Sequence, residues 1–140
     1  MANESKRIIA KERTVENEKY AFRCFLLRRY NSYAEKSISG NGIHIYGTCD
    51  LSRLPTYTDE KGKLRLARDF YMKSPDDLEL YIGGITNRFA VYTGDTVNDC
   101  DICDCTEAVL TTLDKEMRRK PKQNTVKAGT ATVQIVSCVP

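Results

Sequence analysis

Histidine occurs once in this chain, tryptophan not at all, and no apolar run approaches the ~20 residues a membrane helix needs. One imidazole leaves room for a single histidine general base and excludes a histidine-rich metal cage. The opening Met1-Ala2-Asn3-Glu4-Ser5-Lys6-Arg7 lacks the apolar core of a secretory leader. A cytoplasmic location is therefore expected, with the six cysteines as thiols or metal ligands rather than disulfides. The chain is also too short for two full cores, since 140 residues suit one domain. With 41% apolar and 29% charged residues, it has the composition of a folded domain, neither disordered nor fibrous.

Charge is present in blocks that the net value of +3 conceals. Residues 1–29 carry eight basic and four acidic side chains, net +4, and residues 117–140 carry five basic and none acidic, net +5. Between them, residues 76–116 carry two basic and ten acidic, net −8. Basic flanks around an acidic centre suit nucleic-acid contact outside and cation binding inside. They equally suit a solvated surface with a basic tail.

Hydrophobic spacing divides the chain into a polar N-terminal segment (residues 1–19), a domain (20–120) and a basic linker or tail (121–140). Ile8, Ile9 and Val15 are the few apolar anchors of the first segment, which predicts a marginal helix or a frayed end. Phe22, Phe25 and Leu26 then stand at helical spacing between Tyr20 and Tyr30, with Asn31-Ser32 as the stop. Residues 42–48 alternate as a strand, with Ile43 and Ile45 on one face and His44 and Tyr46 on the other. Asp50 to Asp77, interrupted by Pro55, Gly62 and Pro75, reads as a long excursion, with or without a short helix. Leu78, Leu80 and Ile82 face inward from a second strand, with Glu79 and Tyr81 outward. Gly83-Gly84 turns the chain into a third strand at Arg88–Thr93. Asp104-x-x-Glu107 resembles a capping box before a helix whose stripe is Val109, Leu110, Leu113 and Met117. Arg118, Arg119 and Lys120 suit its C-terminus, and Pro121 ends it. Thr132–Val136 is a short strand or the remnant of a longer chain.

Three constellations can carry chemistry. Ser37-Ile38-Ser39-Gly40-Asn41-Gly42-Ile43-His44 places two glycines and a serine before a strand that presents a histidine. Backbone N–H groups in such a loop can cradle a triphosphate, and the same residues also make a plain turn before a half-buried imidazole. Glu79 puts a carboxylate in an otherwise apolar strand, where it needs a metal, a partner or solvent. If its strand neighbours that of His44, the two share a sheet face. Cys100, Cys103 and Cys105 offer three thiolates, with Cys49 or Cys138 as a fourth for zinc. Their acidic neighbours raise thiol pKa values, and a loop leading into a capped helix is the other reading. No Gly-x-Ser-x-Gly elbow supports triad chemistry.

The segment Asn31-Ser32-Tyr33-Ala34-Glu35-Lys36-Ser37-Ile38-Ser39-Gly40-Asn41-Gly42-Ile43-His44-Ile45 resembles one in phage and plasmid primase–polymerases, members of the archaeo-eukaryotic primase superfamily. Leu78-Glu79-Leu80-Tyr81-Ile82-Gly83-Gly84-Ile85-Thr86-Asn87-Arg88-Phe89-Ala90-Val91-Tyr92-Thr93-Gly94-Asp95 and Asp104-Cys105-Thr106-Glu107-Ala108 are similar to later segments of that family, in the same order. The resemblance runs from about Phe22 to Met117. It implies an α/β (α+β) fold, a partial primase–polymerase fold with an RRM-like antiparallel or mixed sheet and flanking helices. It implies that Ser39, Gly40, Gly42 and His44 hold a nucleotide's triphosphate, that Glu79 and His44 are catalytic with Glu79 a ligand of Mg²⁺ or Mn²⁺, and that Arg88 lies near the nucleotide or template. DNA and nucleoside triphosphates are the implied partners, with a replicative helicase as a further one and no membrane.

The family's first motif, Asp-x-Asp at a strand end, has no counterpart here: residues 1–20 contain no aspartate. Asp99, Asp101 and Asp104 follow Glu79 instead of preceding it. Ile38 also stands where the family has proline, and Ala34 where it has threonine. One carboxylate cannot hold two Mg²⁺ ions. Two classes of function stay open. One is a split or truncated DNA primase or polymerase, inactive alone and completed by a separately encoded Asp-x-Asp segment. The other is a non-catalytic nucleic-acid-binding or interaction module of that fold, with eight tyrosines and basic termini for single strands.

Overall fold

A computed structural model describes residues 18–75, 78–88, 91–120 and 133–137. Helix α1 occupies residues 18–30 and buries Leu26 and Tyr30, one turn apart, with Phe22 packed behind them. Phe25, expected in that stripe, is exposed and carries the Arg29 guanidinium over its ring at 4.6 Å. Asn31 ends the helix in the left-handed region (φ 44°), and its N–H donates to the Leu27 carbonyl.

The strands are β1 (Ala34–Lys36), β2 (Ile43–Gly47), β3 (Thr56–Thr58), β4 (Leu64–Leu66), β5 (Leu78–Ile82), β6 (Thr96–Asn98) and β7 (Val133–Ser137), with α2 (Thr106–Lys115) between the last two. Five of them form one mixed sheet in the order β5-β7-β2-β1-β6. β7 is parallel to both β2 and β5, whereas β1 is antiparallel to β2 and β6. Alternation puts Ile43, Ile45, Leu78, Leu80, Ile82 and Ile135 on one face. There they meet Leu26 and Tyr30 of α1 and Val109 and Leu113 of α2, with Met117 just beyond. Burying these side chains contributes roughly 1.5–3 kcal/mol each, which fixes the face on which both helices lie. The fold is thus a mixed α/β arrangement with both helices on one side of the sheet. Among the described residues, no helix is long and apolar enough to cross a membrane.

Several expectations change. Val91–Thr93 is not a strand, and the rest of the Arg88–Thr93 prediction falls partly on residues outside those described. The strand that follows β5 in sequence is β6, at the far edge of the sheet, and the neighbour of β5 is β7. Thr132–Val136 was expected as a short strand or remnant. Its strand, Val133–Ser137, sits between β5 and β2, inside the stretch that composition marks as tail. The Asp50–Asp77 excursion contains a 3₁₀ turn at Leu51–Arg53 and the β3–β4 hairpin. It then returns along β5, where the Lys73–Glu79 bridge and the Leu80 N–H to Met72 carbonyl bond cover the open edge. At α2, Asp104 accepts from the N–H and hydroxyl of Thr106, while Glu107 pairs with Arg53 and does not close a capping box. Expectations for residues 1–17 and 121–132 lie outside the described residues.

Candidate functional site

The sheet face away from the helices carries a row of polar side chains that crosses four strands. Register pairs Glu35 of β1 with His44 of β2, His44 with Gln134 of β7, and Gln134 with Glu79 of β5. His44 and Glu79 therefore do share a face, but one strand apart, with Gln134 between them. The Gln134 amide donates to Glu79 Oε2 at 3.1 Å, and its side chain is hydrogen-bonded to the imidazole. A glutamine suits this position because one amide both donates to a carboxylate and accepts from a ring N–H.

Glu79 is buried, and its two oxygens are occupied. Lys73 Nζ lies 2.9 Å from Oε1, and Oε2 accepts from the Tyr81 hydroxyl as well as from Gln134. Burial pushes the carboxyl up, but Tyr81, Lys73 and the more distant Arg88 outweigh it and hold the group below its ordinary range. Burial and that same carboxylate push the Tyr81 hydroxyl up to about 12. Arg88 reaches this corner, with its guanidinium 5.5 Å from the Tyr81 ring centre.

At the other end of the row, Glu35 is fully buried, and sequence reasoning assigned it no role. Oε1 accepts from the Thr93 N–H (2.8 Å) and the Tyr46 hydroxyl (3.1 Å). Oε2 accepts from the Gly94 N–H (3.0 Å) and the Tyr33 hydroxyl (3.0 Å). Desolvation raises its pKa, yet the four donors together hold it below the ordinary value. Glu35 thus works as a clasp that ties the coil at residues 91–95 across the sheet. Tyr92 stacks on Tyr46 at 4.8 Å as part of that cover. The signal was a lone glutamate one position from a core alanine in a short alternating segment, too short to read as a strand. His44 lies between the two carboxylates. Its burial outweighs the pull of Glu35, Gln134 and Glu79, so its pKa is lowered and the ring is neutral near pH 7.

The Ser37–Gly42 loop joins β1 to β2 and ends two residues before His44. Gly40 sits at φ 75°, a conformation that disfavours a Cβ. The N–H groups expected to be free are engaged: Gly40 donates to the Ser37 carbonyl, Gly42 to Ser37 Oγ at 3.1 Å and Asn41 to Ser39 Oγ at 3.3 Å. Two of these acceptors are hydroxyls that a stronger anion can displace. Arg23 of α1 reaches the same loop and donates to the Asn41 carbonyl at 2.5 Å. Its Nε is buried with no hydrogen-bond partner among the described residues.

These residues do not fit a divalent-metal centre. Among the described residues, no three carboxylate, imidazole or thiol groups converge, and both Glu79 oxygens face donors. Cys100 and Cys103 are exposed while Cys49 and Cys105 are buried, and Cys138 lies outside the described residues. Cys105 instead packs against Gly47, where an added Cβ would lie 2.4 Å from its Sγ. The segment runs along the end of β2, through the Thr48 N–H to Cys103 carbonyl and Cys105 N–H to Thr48 carbonyl bonds. Comparison with protein-family models, curated proteins and solved structures gives no match for this chain.

Proposed function

We propose that the chain is a nucleotide- and DNA-binding module of primase–polymerase type that does not transfer nucleotides by itself. The observation that carries this reading is the His44–Gln134–Glu79 row on the face away from α1 and α2, beside a glycine-rich loop reached by Arg23, whose Nε is buried with no hydrogen-bond partner among the described residues. A triphosphate at the loop would replace the Ser37 and Ser39 hydroxyls as acceptor for Gly42 and Asn41, and would give Arg23 Nε its missing partner. Neutral His44 carries a single N–H, so to donate to a phosphate it would exchange its bond to Gln134 for one to the nucleotide. Arg88, over Tyr81, would contact the base or the template backbone. Since the described residues lack the donors for two metal ions, catalysis requires a partner segment bearing Asp-x-Asp, which would supply the site for Mg²⁺ or Mn²⁺.

Titration with nucleoside triphosphate, followed by amide NMR, tests the binding site. Gly40, Gly42 and His44 should shift at millimolar nucleotide without added metal. Arg23→Gln should weaken binding about tenfold, the equivalent of ~1.5 kcal/mol for a hydrogen bond to a charged group. Unmoved Gly40 and Gly42 signals would sink the reading.

The Lys73–Glu79 ion pair favours the second reading, a module that has no catalytic role at all. A primer-extension assay separates the two. The lone chain should give no extension with Mg²⁺ or Mn²⁺. Co-expression with an Asp-x-Asp-bearing segment should restore activity that Glu79→Ala then abolishes. Retained nucleotide binding with no restoration would favour the binding module.

A further inference from the structure

The hairpin β3–β4 and the chain that follows it, residues 67–73, enclose a groove of about 470 Å³ on the other side of Lys73 from the polar row. Arg65, Arg68, Lys73 and Arg119 line it together with Tyr57 and Tyr71, and no carboxylate is among its lining residues. A second concavity of about 510 Å³ shares Tyr57, Arg65 and Arg68 and continues the groove towards Lys61. Two carboxylates lie there: Asp59, engaged with Arg65 Nε and the Lys61 and Lys63 amides, and the exposed Glu60 at the outer end, so the one-sign stretch is the groove itself. Among the described residues, neither Arg68 nor Arg119 pairs with a carboxylate. Their guanidinium groups lie over aromatic rings instead, Arg68 at 5.5 Å from Tyr57 and Arg119 at 4.6 Å from Tyr71.

We infer that this groove is a track for single-stranded nucleic acid. It is separate from the Ser37–Gly42 loop, and the inference holds whether or not that loop takes a triphosphate. Cations of one sign in an open groove follow a phosphate backbone, and interleaved rings offer stacking surfaces to unpaired bases. Arg119 is held over its ring by a cation–π contact, and Arg68 by one together with an Nε hydrogen bond to the Tyr57 hydroxyl at 3.3 Å. A phosphate that redirects either guanidinium frees the ring face it covered for a base. A duplex hides its base faces in its own stack, so the tyrosines select single strands. The Lys73 end touches Glu79 at 2.9 Å, so a strand in the groove leads to the edge of the polar row.

Fluorescence anisotropy with the full chain and labelled 15-mers of deoxythymidine and of uridine tests the track. Both should bind, because the groove offers phosphate and ring contacts common to the two. Arg68→Gln and Arg119→Gln should each lower the slope of log affinity against log salt by about 0.7. Tyr57→Ala should weaken binding on the order of tenfold, and Tyr57→Phe, which keeps the ring and loses only the hydroxyl bonded by Arg68 Nε, should leave it near the parent. His44→Ala should keep oligonucleotide affinity while losing its nucleotide response, so failure of the track and failure of the nucleotide site are distinguishable. Equal affinity for duplex DNA or polyglutamate, no binding, or binding indifferent to all three groove positions would overturn the inference. So would oligonucleotide binding lost in His44→Ala alone.

Discussion

Glu35 shows how a single side chain is committed by contacts that sequence distance hides. Its four donors come from Tyr33, Tyr46, Thr93 and Gly94, the last two more than fifty residues away. Glu35→Gln keeps the shape but offers an NH₂ where two donors already point. Unfolding in urea should therefore show a loss of ~1–3 kcal/mol, with faster amide exchange at Thr93 and Gly94. Gly47→Ala acts through space alone: the new Cβ meets the buried Cys105 Sγ, and overpacking of this kind costs about 1–3 kcal/mol by the same measurement. For His44, folding lowers the pKa below its ordinary value of 6.5, so the unfolded chain binds the proton first as pH falls. Its contribution to stability is complete above that value and declines below it. His44→Gln should flatten the fall in stability that sets in below about pH 6.5, as denaturant midpoints measured on both sides of that pH would show.

At the scale of elements, the two helices are joined by a polar clamp on the border of the core. Arg29 of α1 donates through two nitrogens to Glu116 at 2.6 and 2.9 Å, and also to Thr112 Oγ1. Thr112 is fully buried and also bonds the Tyr30 hydroxyl at 2.7 Å, and burial raises the pKa of that hydroxyl. A bidentate pair that is mostly shielded from water is less screened than a surface pair and fixes the azimuth of one helix against the other. A double-mutant cycle of Arg29→Ala and Glu116→Ala should return a coupling of about 1–3 kcal/mol. The exposed Arg118–Asp114 pair, treated the same way, should give under ~1 kcal/mol.

For the whole molecule, the decisive element is β7. It contributes Ile135 to the core and Gln134 to the polar row, and it supplies the pairing edge for both β2 and β5. Without it, β5 and β2 lose their shared neighbour and the His44–Glu79 row loses its bridge. A chain ending at Lys120 should therefore lose its cooperative thermal transition and its dispersed amide spectrum. A native-like spectrum from that shortened chain would show that β5 and β2 can pair without β7.

Where local patterning carries a physical signal, the sequence alone was sufficient. Ile43–Ile45 and Leu78–Leu80–Ile82 alternate over enough residues to declare two strands and their buried face. Val109, Leu113 and Met117 do the same for α2 and its continuation. From that alternation it followed that His44 and Glu79 point away from the core. Tertiary structure alone decided which strands are neighbours. Strand order depends on backbone hydrogen bonds between distant segments, and no pattern within β5 says that β7 will lie beside it. β1 and β6, at three residues each, are too short to alternate legibly and exist because β2 offers β1 an edge and β1 offers β6 one. The same limit hid Arg23 and the arginine–tyrosine groove. Both are made of residues ordinary in sequence, whose neighbours come from distant segments and are set only by packing.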